Sequence, residues 1–140
     1  MPKIKILTLT NNGYLTYTLN CLESLRKIGI NNVDVYAIGK KAHTRLKNQN
    51  FNTKLINDAS SSEFQQFRTG NWSSTTFHKF EIIHENLKTH DYVCFTDGDI
   101  TFKDKRFLAY CEDNIKNFDL LIQNDQLLYD QLLYIRLHHV

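Results

Sequence analysis

Segments with strand-like and helix-like spacing alternate along the first half of the chain, and this alternation limits the fold more than any other feature. Residues Lys3–Thr10 (KIKILTLT) alternate apolar and polar side chains and include β-branched residues, which predicts a strand. Apolar residues recur at helical spacing over Tyr14–Ile28, and Gly29 then ends the predicted helix. The next segments are predicted as strand, short helix and strand, at Val33–Ile38, Ala42–Asn48 and Thr53–Ile56. This order predicts an α/β protein with a mostly parallel sheet flanked by helices.

A long polar stretch, Asn57–Thr76, follows these elements and contains Phe64, Phe67 and Trp72. A long loop with embedded aromatic side chains is typical of a binding loop or a lid. A surface loop that is pinned by its aromatic residues gives the same pattern. The sequence leaves both interpretations open.

The remaining segments continue the alternation of helices and strands. Phe77–Leu87 is predicted as a helix with Phe80, Ile83 and Leu87 on one face. The later segments are predicted as strand, helix, strand and helix, in that order, at Asp91–Thr96, Lys103–Asn117, Phe118–Ile122 and Asp125–Leu137. The sequence contains no repeat and no linker, so we expect a single domain over residues 1–140.

Composition and charge exclude several classes of protein. The formal charge of +2 at pH 7 is too small for a nucleic-acid-binding surface, and no basic run stands out. We find no signal peptide and no apolar run of membrane-spanning length. Three cysteines without metal-type spacing favour a reducing compartment, so we expect a cytoplasmic protein. A homo-oligomeric state is left open.

Two aspartates separated by one glycine, Asp97-Gly98-Asp99, come directly after the apolar run Tyr92–Phe95. Carboxylates this close repel each other unless a cation or a proton lies between them. Hard divalent cations such as Mn²⁺ and Mg²⁺ prefer carboxylate oxygens, and phosphate oxygens and water usually complete their coordination. We therefore predict that Asp97 and Asp99 bind Mn²⁺ or Mg²⁺, while Gly98 lets a ligand approach the backbone closely.

A second polar segment, Thr8–Tyr14, follows the first predicted strand. In open α/β sheets, ligands bind at the carboxyl ends of the strands. If the first strand and the strand at Tyr92 lie near each other, both polar segments open into one crevice. The sequence thus predicts one ligand site built from two distant parts of the chain.

The Asp97-Gly98-Asp99 motif resembles the Asp-x-Asp signature of nucleotide-sugar-dependent glycosyltransferases with the Rossmann-like GT-A fold, and more particularly of glycogenin and related nucleotide-diphospho-sugar transferases. Two further segments carry the resemblance, in the family's order. LTLTNNGYLTYTLNCLESLRK resembles the family's opening strand, with its Thr-rich end, Asn and Tyr. Phe77-His78-Lys79-Phe80 resembles the family's lysine-containing helix. Together the motifs extend over residues 4 to 125.

This resemblance implies a role for each matching residue. Asp97 and Asp99 would hold Mn²⁺ or Mg²⁺ against the diphosphate of the donor, and Lys79 and Arg68 would neutralise the remaining phosphate charge. The nucleobase and ribose would be held by four residues of the opening segment, Thr8, Thr10, Asn11 and Tyr14. The implied reaction transfers a sugar from a nucleotide-diphosphate sugar, with UDP the favoured nucleotide, to a sugar, glycan, protein or lipid acceptor. No residue stands out as a catalytic base.

Two other classes of protein compete for the same residues. Members of the family continue further beyond the signature than a chain that ends at Val140, so a non-catalytic nucleotide-sugar-binding module is one alternative. The other is a haloacid-dehalogenase-type phosphatase, whose Asp-x-Asp-x-Thr motif is similar to Asp97–Thr101. In that class Asp97 would be the nucleophile and Asp99 the general acid and base, with Mg²⁺ bound alongside. The phosphatase interpretation leaves Lys79 unexplained.

Purely structural roles are the alternative for single residues. Thr8 and Thr10 would then be strand residues on an outward face, Tyr14 a packing residue of the first helix, and Lys79 an exposed helix lysine. Asp104 either extends the acidic site or caps the helix that follows it. The position of these side chains in the fold decides between the two sets of roles.

Overall fold

The computed structural model describes residues 4–64, 72–123 and 132–135. This part of the chain divides into two compact units, with the boundary between Lys103 and Asp104. Each unit is described by itself, and the expectation of one domain over residues 1–140 stays a prediction. The first unit is a parallel sheet with helices between its strands, which confirms the predicted α/β, Rossmann-like class.

The first unit contains four strands, three α-helices and one short 3₁₀ turn within the described residues. In chain order they are β1 (Ile4–Asn11), α1 (Leu15–Lys27), β2 (Val33–Ile38), α2 (Lys40–Asn48), β3 (Asn52–Ile56), the 3₁₀ turn (Ala59–Ser61), α3 (Trp72–Leu87) and β4 (Tyr92–Phe95). All strand pairs are parallel, and the order across the sheet is β3-β2-β1-β4. None of the helices in the described ranges has the length and apolar character needed to cross a membrane.

Strand β1 is the point at which the chain changes the side on which it adds strands to the sheet. The chain passes from β1 to β2 and β3 on one side and then returns to place β4 on the other side of β1. Ile6 is accordingly paired with Val33 of β2 and with Cys94 of β4. Such a reversal is a topological switch point, because the connections leave two neighbouring strands in opposite directions and open a crevice at their carboxyl ends.

The apolar core of this unit lies where α1 and α2 cover the sheet. Leu22 and Leu25 of α1 and Leu46 of α2 are buried, as are Val35 and Ala37 of β2. The helical spacing of apolar residues in the first predicted helix is thus confirmed as a core-facing stripe. Because its two neighbours cover both edges, β1 is buried almost throughout.

Helix α3 packs against the protein with Ile82 and Asn86, and not with the apolar face that contains Phe80 and Leu87. Phe80 and Leu87 are 60 % and 50 % exposed, whereas Ile82 and Asn86 are buried. Asn86 donates hydrogen bonds from Nδ2 to the hydroxyl of Tyr36 (2.9 Å) and to the carbonyl oxygen of Ile82 (2.8 Å). The predicted helix is confirmed, and its inward positions include a buried amide with satisfied hydrogen bonds, which apolar periodicity does not mark.

The second unit contains α4 (Arg106–Ile115), β5 (Leu120–Gln123) and β6 (Leu132–Ile135). Asp104 accepts a hydrogen bond from the backbone N–H of Arg106 (2.8 Å) and forms an ion pair with its guanidinium. These bonds hold the pKa of Asp104 at about 2, below its ordinary value. Asp104 therefore stabilises the start of α4, as the capping alternative predicts.

Residues 132–135 form a strand, although the sequence analysis predicts a helix over Asp125–Leu137. Strand β6 pairs antiparallel with β5, with Leu120 opposite Ile135 and Gln123 opposite Leu132. The rest of the predicted helix lies outside the described residues. Its leucine-rich sequence suits a helix locally, but pairing with β5 satisfies the backbone of Leu132–Ile135 and overrides that propensity.

Replacing Leu7 with alanine tests whether β1 carries the stability of the first unit. Leu7 is fully buried, so Leu7→Ala should lower the free energy of unfolding by about 3 kcal/mol. Leu87→Ala is the matched control, because the same atoms are removed from a half-exposed position, and it should cost less than about 1 kcal/mol. Urea denaturation followed by circular dichroism measures both. Equal losses would contradict the central position of β1.

Candidate functional site

The carboxyl ends of β1 and β4 lie side by side at the switch point. The backbone N–H of Thr96 donates to the carbonyl oxygen of Leu7 (3.0 Å), which carries the pairing of the two strands one residue beyond β4. Asp97 and Asp99 follow immediately, and both are exposed. The predicted acidic motif therefore emerges beside the end of β1, where the sequence analysis expects a ligand site.

Lys79 of α3 reaches the first aspartate of the motif. Its Nζ lies 3.5 Å from Oδ1 of Asp97 and 4.7 Å from the ring centroid of Phe95, the last residue of β4. A cation over an aromatic face is attracted to the ring, so Phe95 helps to hold the ammonium near the carboxylate. Lys79 thus lies beside the acidic motif, and its role in binding a ligand stays a prediction.

Asp99 makes no hydrogen bond or ion pair with any residue that the structure describes. Its charge nevertheless acts on the buried thiol of Cys21, whose Sγ lies 3.9 Å from the carbonyl oxygen of Asp97. Burial raises the pKa of Cys21 to about 11, and the negative charge of Asp99 adds to the rise. Two carboxylates, Asp97 and Asp99, therefore lie at this edge. Among the described residues, Lys79 is the one cation that offsets their negative charge.

Gly98 lies against α1. A Cβ at this position would be 2.5 Å from Oγ1 of Thr18 and 3.6 Å from the carbonyl oxygen of Leu9. No real Cβ approaches a heavy atom that closely, so any side chain here would push the motif away from the helix. Close packing against Thr18 is therefore a structural reason for a glycine at position 98. The close approach of a ligand to the backbone at Gly98 stays a prediction.

Thr8 and Thr10 point into the protein and not toward solvent. Both are buried, so the alternative of an outward strand face is wrong. Thr10 Oγ1 accepts a hydrogen bond from Thr18 Oγ1 (2.8 Å), which ties β1 to α1. Thr8 Oγ1 is buried and has no hydrogen-bond partner within the described ranges, an uncommon state for a buried hydroxyl. The predicted contact of these hydroxyls with a nucleotide has no test in the structure.

Asn11 and Asn12 attach the polar loop to the end of β1. Asn11 Nδ2 donates to the carbonyl oxygens of Ser61 (3.2 Å) and Glu63 (2.6 Å), and its Oδ1 accepts from the backbone N–H of Tyr14 (2.9 Å). The backbone N–H of Asn12 donates to the carbonyl oxygen of Ser62 (2.8 Å). The amide of Asn11 therefore holds the loop at the end of β1, and its predicted contact with a nucleotide stays a prediction.

Tyr14 stacks on an aromatic ring from that loop. The rings of Tyr14 and Phe64 are 5.0 Å apart at their centroids, with an interplanar angle of 13°. Tyr17 lies on α1 at 5.7 Å from Tyr14, with its ring tilted by 49°. Tyr14 is thus a packing residue as well as a candidate ligand contact. Phe64 has no place in the predicted site, and its one signal in the sequence is an aromatic residue within a polar stretch.

A second contact ties the start of the loop to α3. His78 Nε2 donates a hydrogen bond to Oδ2 of Asp58 (2.8 Å), one residue before the lysine that reaches Asp97. This bond, with those from Ser60, holds the pKa of Asp58 well below its ordinary value. The loop and α3 are therefore tied together at Asp58. Arg68, the second cation of the predicted site, lies outside the described residues.

The donor groups of the site suit a hard cation that brings ligands of its own. Asp97 and Asp99 offer oxygen donors, and no group of three or more His, Cys, Asp or Glu side chains in the described ranges is placed to hold a metal ion by itself. Mg²⁺ and Mn²⁺ fit such a sparse site, because they retain water and bind substrate phosphates. Both carboxylates are exposed, so a cation with ligands of its own can approach them from solvent.

The acidic motif and Lys79 lie at the switch point of a parallel sheet, which is where open α/β sheets bind their ligands. The sequence model of the nucleotide-diphospho-sugar transferase family matches residues 28–132, three quarters of the chain. The chain belongs to this family. Its general activity is the transfer of a sugar from a nucleotide sugar, which favours the transferase over the phosphatase that Asp97–Thr101 also resembles.

The match covers α3, β4 and the Asp97-Gly98-Asp99 motif, whereas Thr8, Thr10, Asn11 and Tyr14 precede it. No curated protein matches the chain with significance, and no solved structure does. The family membership therefore rests on the sequence model. The roles of single residues rest on the geometry of this chain.

The contact between Gly98 and Thr18 gives a test of how the acidic motif is positioned. Gly98→Ala should lower the free energy of unfolding by about 1–3 kcal/mol, because the new methyl group overlaps the Thr18 hydroxyl. Thr18→Ala removes that hydroxyl, so the double variant should lose less than the sum of the two single variants. Thermal unfolding of the four proteins measures the coupling. Additive losses would contradict the contact.

Proposed function

We propose that this protein transfers a sugar from a nucleotide-diphosphate sugar with the help of Mn²⁺ or Mg²⁺ held by Asp97 and Asp99. The observation that carries the proposal is the pairing of Lys79 with Asp97 at the switch point, beside Asp99, which pairs with none of the described residues. A diphosphate and a divalent cation together would complete this set of charges, since the cation suits the carboxylates and the phosphates suit the lysine.

The reaction breaks the bond between the anomeric carbon of the sugar and the diphosphate oxygen, which leaves with the bonding electrons. The acceptor hydroxyl oxygen bonds to the anomeric carbon and loses its proton. When bound, the cation supplies charge stabilisation for the leaving diphosphate. Lys79 adds a second positive charge from α3, and Arg68 is proposed as a third. No described residue is assigned as the base that removes the acceptor proton.

The nucleoside end of the donor is proposed to lie along the end of β1. Asn11 shapes this region by holding the loop through Ser61 and Glu63, and Tyr14 supplies an aromatic ring. Thr8 and Thr10 are proposed to support the nucleoside end from within the sheet. The Thr8 hydroxyl is buried there and has no hydrogen-bond partner among the described residues. UDP is the proposed nucleotide, and a sugar, glycan, protein or lipid hydroxyl is the proposed acceptor.

Asp99→Asn tests the metal site, because the amide keeps the shape of the side chain and removes the charge. For the unchanged protein, a nucleoside diphosphate at 100 times its Kd adds about 2.7 kcal/mol of stability and raises the unfolding midpoint by several degrees in the presence of Mn²⁺. We expect Asp99→Asn to lose this shift and to keep its unliganded midpoint. Scans with UDP, GDP, ADP and CDP identify the nucleotide.

Asp91→Asn is the matched control for that experiment, because Asp91 is an exposed carboxylate immediately before β4, at the opposite end of the strand. It should retain the full shift. A full shift in Asp99→Asn would contradict the metal site. Sugar release and transfer assays with the nucleotide sugar then separate an enzyme from a non-catalytic binding module, which would bind the nucleotide without turnover.

Lys79→Ala should change the affinities for metal and nucleotide in opposite directions. Lys79 pairs with Asp97 in the protein alone, so its removal should tighten binding of Mn²⁺ alone by up to about fivefold. The same change removes a cation that the diphosphate needs and should weaken binding of UDP with Mn²⁺ by about tenfold or more. Isothermal titration measures both affinities.

Lys88→Ala is the control for a lost positive charge, since Lys88 is exposed, lies just beyond α3 and pairs with Glu85. It should leave both affinities within about twofold of the unchanged protein. A parallel fall of the two affinities in Lys79→Ala would contradict the proposed exchange of partners, because it would mean that Lys79 merely supports the fold of the site.

A further inference from the structure

Phe64 is an aromatic residue that the fold exposes and yet holds in place. The side chain of Phe64 is 55 % exposed. Each of the three residues before it, Ser61–Glu63, is nevertheless held by a hydrogen bond to its carbonyl oxygen. The carbonyl oxygens of Ser61 and Glu63 accept from Asn11, and that of Ser62 accepts from the backbone of Asn12. Burying an aromatic ring is favourable, so a fixed and exposed ring suggests a surface that is covered by a ligand.

Close packing on Gly13 fixes the backbone of Phe64 as well. A Cβ at Gly13 would lie 2.5 Å from both the backbone nitrogen and the Cβ of Phe64. The absence of a side chain at Gly13 is thus what allows the loop to dock on the end of β1. Because the backbone of Phe64 is fixed here, the ring has little freedom beyond its own side-chain rotations.

The ring of Phe64 is supported from behind by Tyr14. Their centroid separation of 5.0 Å and angle of 13° describe an offset stack in van der Waals contact, which leaves no room for a third ring between them. A planar ligand therefore cannot reach the face of Tyr14 that Phe64 covers while the pair is intact. Of the stacked pair, Phe64 offers the larger aromatic surface to a ligand, because its side chain is 55 % exposed and Tyr14 is half-buried.

The aromatic pair lies near the acidic motif. Tyr14 and Thr18 are one helical turn apart, about 6 Å along the axis of α1, and Thr18 contacts the motif at Gly98. A nucleoside diphosphate carries a flat aromatic base at one end and a charged diphosphate at the other. Its two ends match the aromatic surface of Phe64 and the charged groups of Asp97, Asp99 and Lys79.

We propose that Phe64, backed by Tyr14, is the platform on which the nucleobase of the donor stacks. The inference rests on the proposed function and assigns to the loop residue a role that the sequence analysis gives to Tyr14. Every base has a flat π face, so stacking on phenylalanine provides affinity for a nucleotide without selecting which base it carries. Loss of one stacked ring corresponds to about 5- to 150-fold in affinity.

Phe64→Ala tests the platform with two ligands that differ in the base. Isothermal titration in the presence of Mn²⁺ compares UDP with inorganic pyrophosphate, which carries the diphosphate charge and no base. We expect Phe64→Ala to weaken UDP binding by at least fivefold and to leave pyrophosphate binding unchanged. Phe64→Tyr should restore UDP binding, because it keeps a stacking ring.

Phe51→Ala is the control for loss of a phenylalanine ring. Phe51 precedes β3 at the amino end of the sheet, where the guanidinium of Arg26 lies 4.1 Å from its ring centroid. This variant should bind both ligands as the unchanged protein does. Gly13→Ala provides a second route, since it displaces Phe64 without removing its ring, and it too should weaken UDP more than pyrophosphate.

Each other outcome overturns the inference in a recognisable way. An equal loss for UDP and pyrophosphate in Phe64→Ala would show that the ring supports the fold of the site. Tighter UDP binding in this variant would show that Phe64 occupies the place of the base on Tyr14. If the unchanged protein binds both ligands equally, the base has no platform although the proposed function stands. If it binds neither, the proposed function fails and the inference fails with it.

Discussion

The parallel pairing of β1 with β2 on one side and β4 on the other is the constraint on which the first unit depends. Parallel neighbours cannot be joined by a short turn, so each connection carries a helix or a long loop across the sheet. The chain leaves β1 through α1 in one direction and returns through α3 to its other side. A strand that is buried almost throughout thereby also marks the place where a crevice opens.

The consequences of this arrangement are visible in the acidic motif. Asp97 and Asp99 are brought to the end of β1 because β4 pairs beside it, and Gly98 is required because α1 passes within contact distance. Lys79 reaches Asp97 because α3 runs back across the sheet before β4 begins. A cation from one helix and a close contact from another thus meet at two carboxylates that would repel each other if they stood alone.

The loop between β3 and α3 is organised by the same edge. Asn11 is the last residue of β1, and Asn12 follows it. The side-chain amide of Asn11 and the backbone N–H of Asn12 donate hydrogen bonds to the loop. Asp58 is tied to His78, so the loop is held from the side of α3 as well. These contacts hold Asp58 and Ser61–Glu63, and the next residue, Phe64, stacks on Tyr14, so that an aromatic surface arises beside a charged one. Flat and charged surfaces together suit the two ends of a nucleotide.

The sequence by itself determined the order of helices and strands in the first unit, the class of the fold and the position of the acidic motif after a strand. Those properties follow from local spacing, since strand and helix periodicity depend on neighbours within a few residues. It also placed Lys79 in the site through its resemblance to a family, to which the chain belongs. The charged groups could be predicted because the charge and donor atoms of a side chain follow directly from its residue type.

Only the tertiary structure decided which faces are buried and which partners meet. The inward position of Asn86 depends on the hydroxyl of Tyr36, fifty residues earlier, and the strand at Leu132–Ile135 depends on β5. The stacking of Phe64 on Tyr14 depends on the glycine at position 13 and on amide bonds from Asn11. Such contacts join residues far apart in sequence, and their energies depend on burial and geometry that local spacing does not contain.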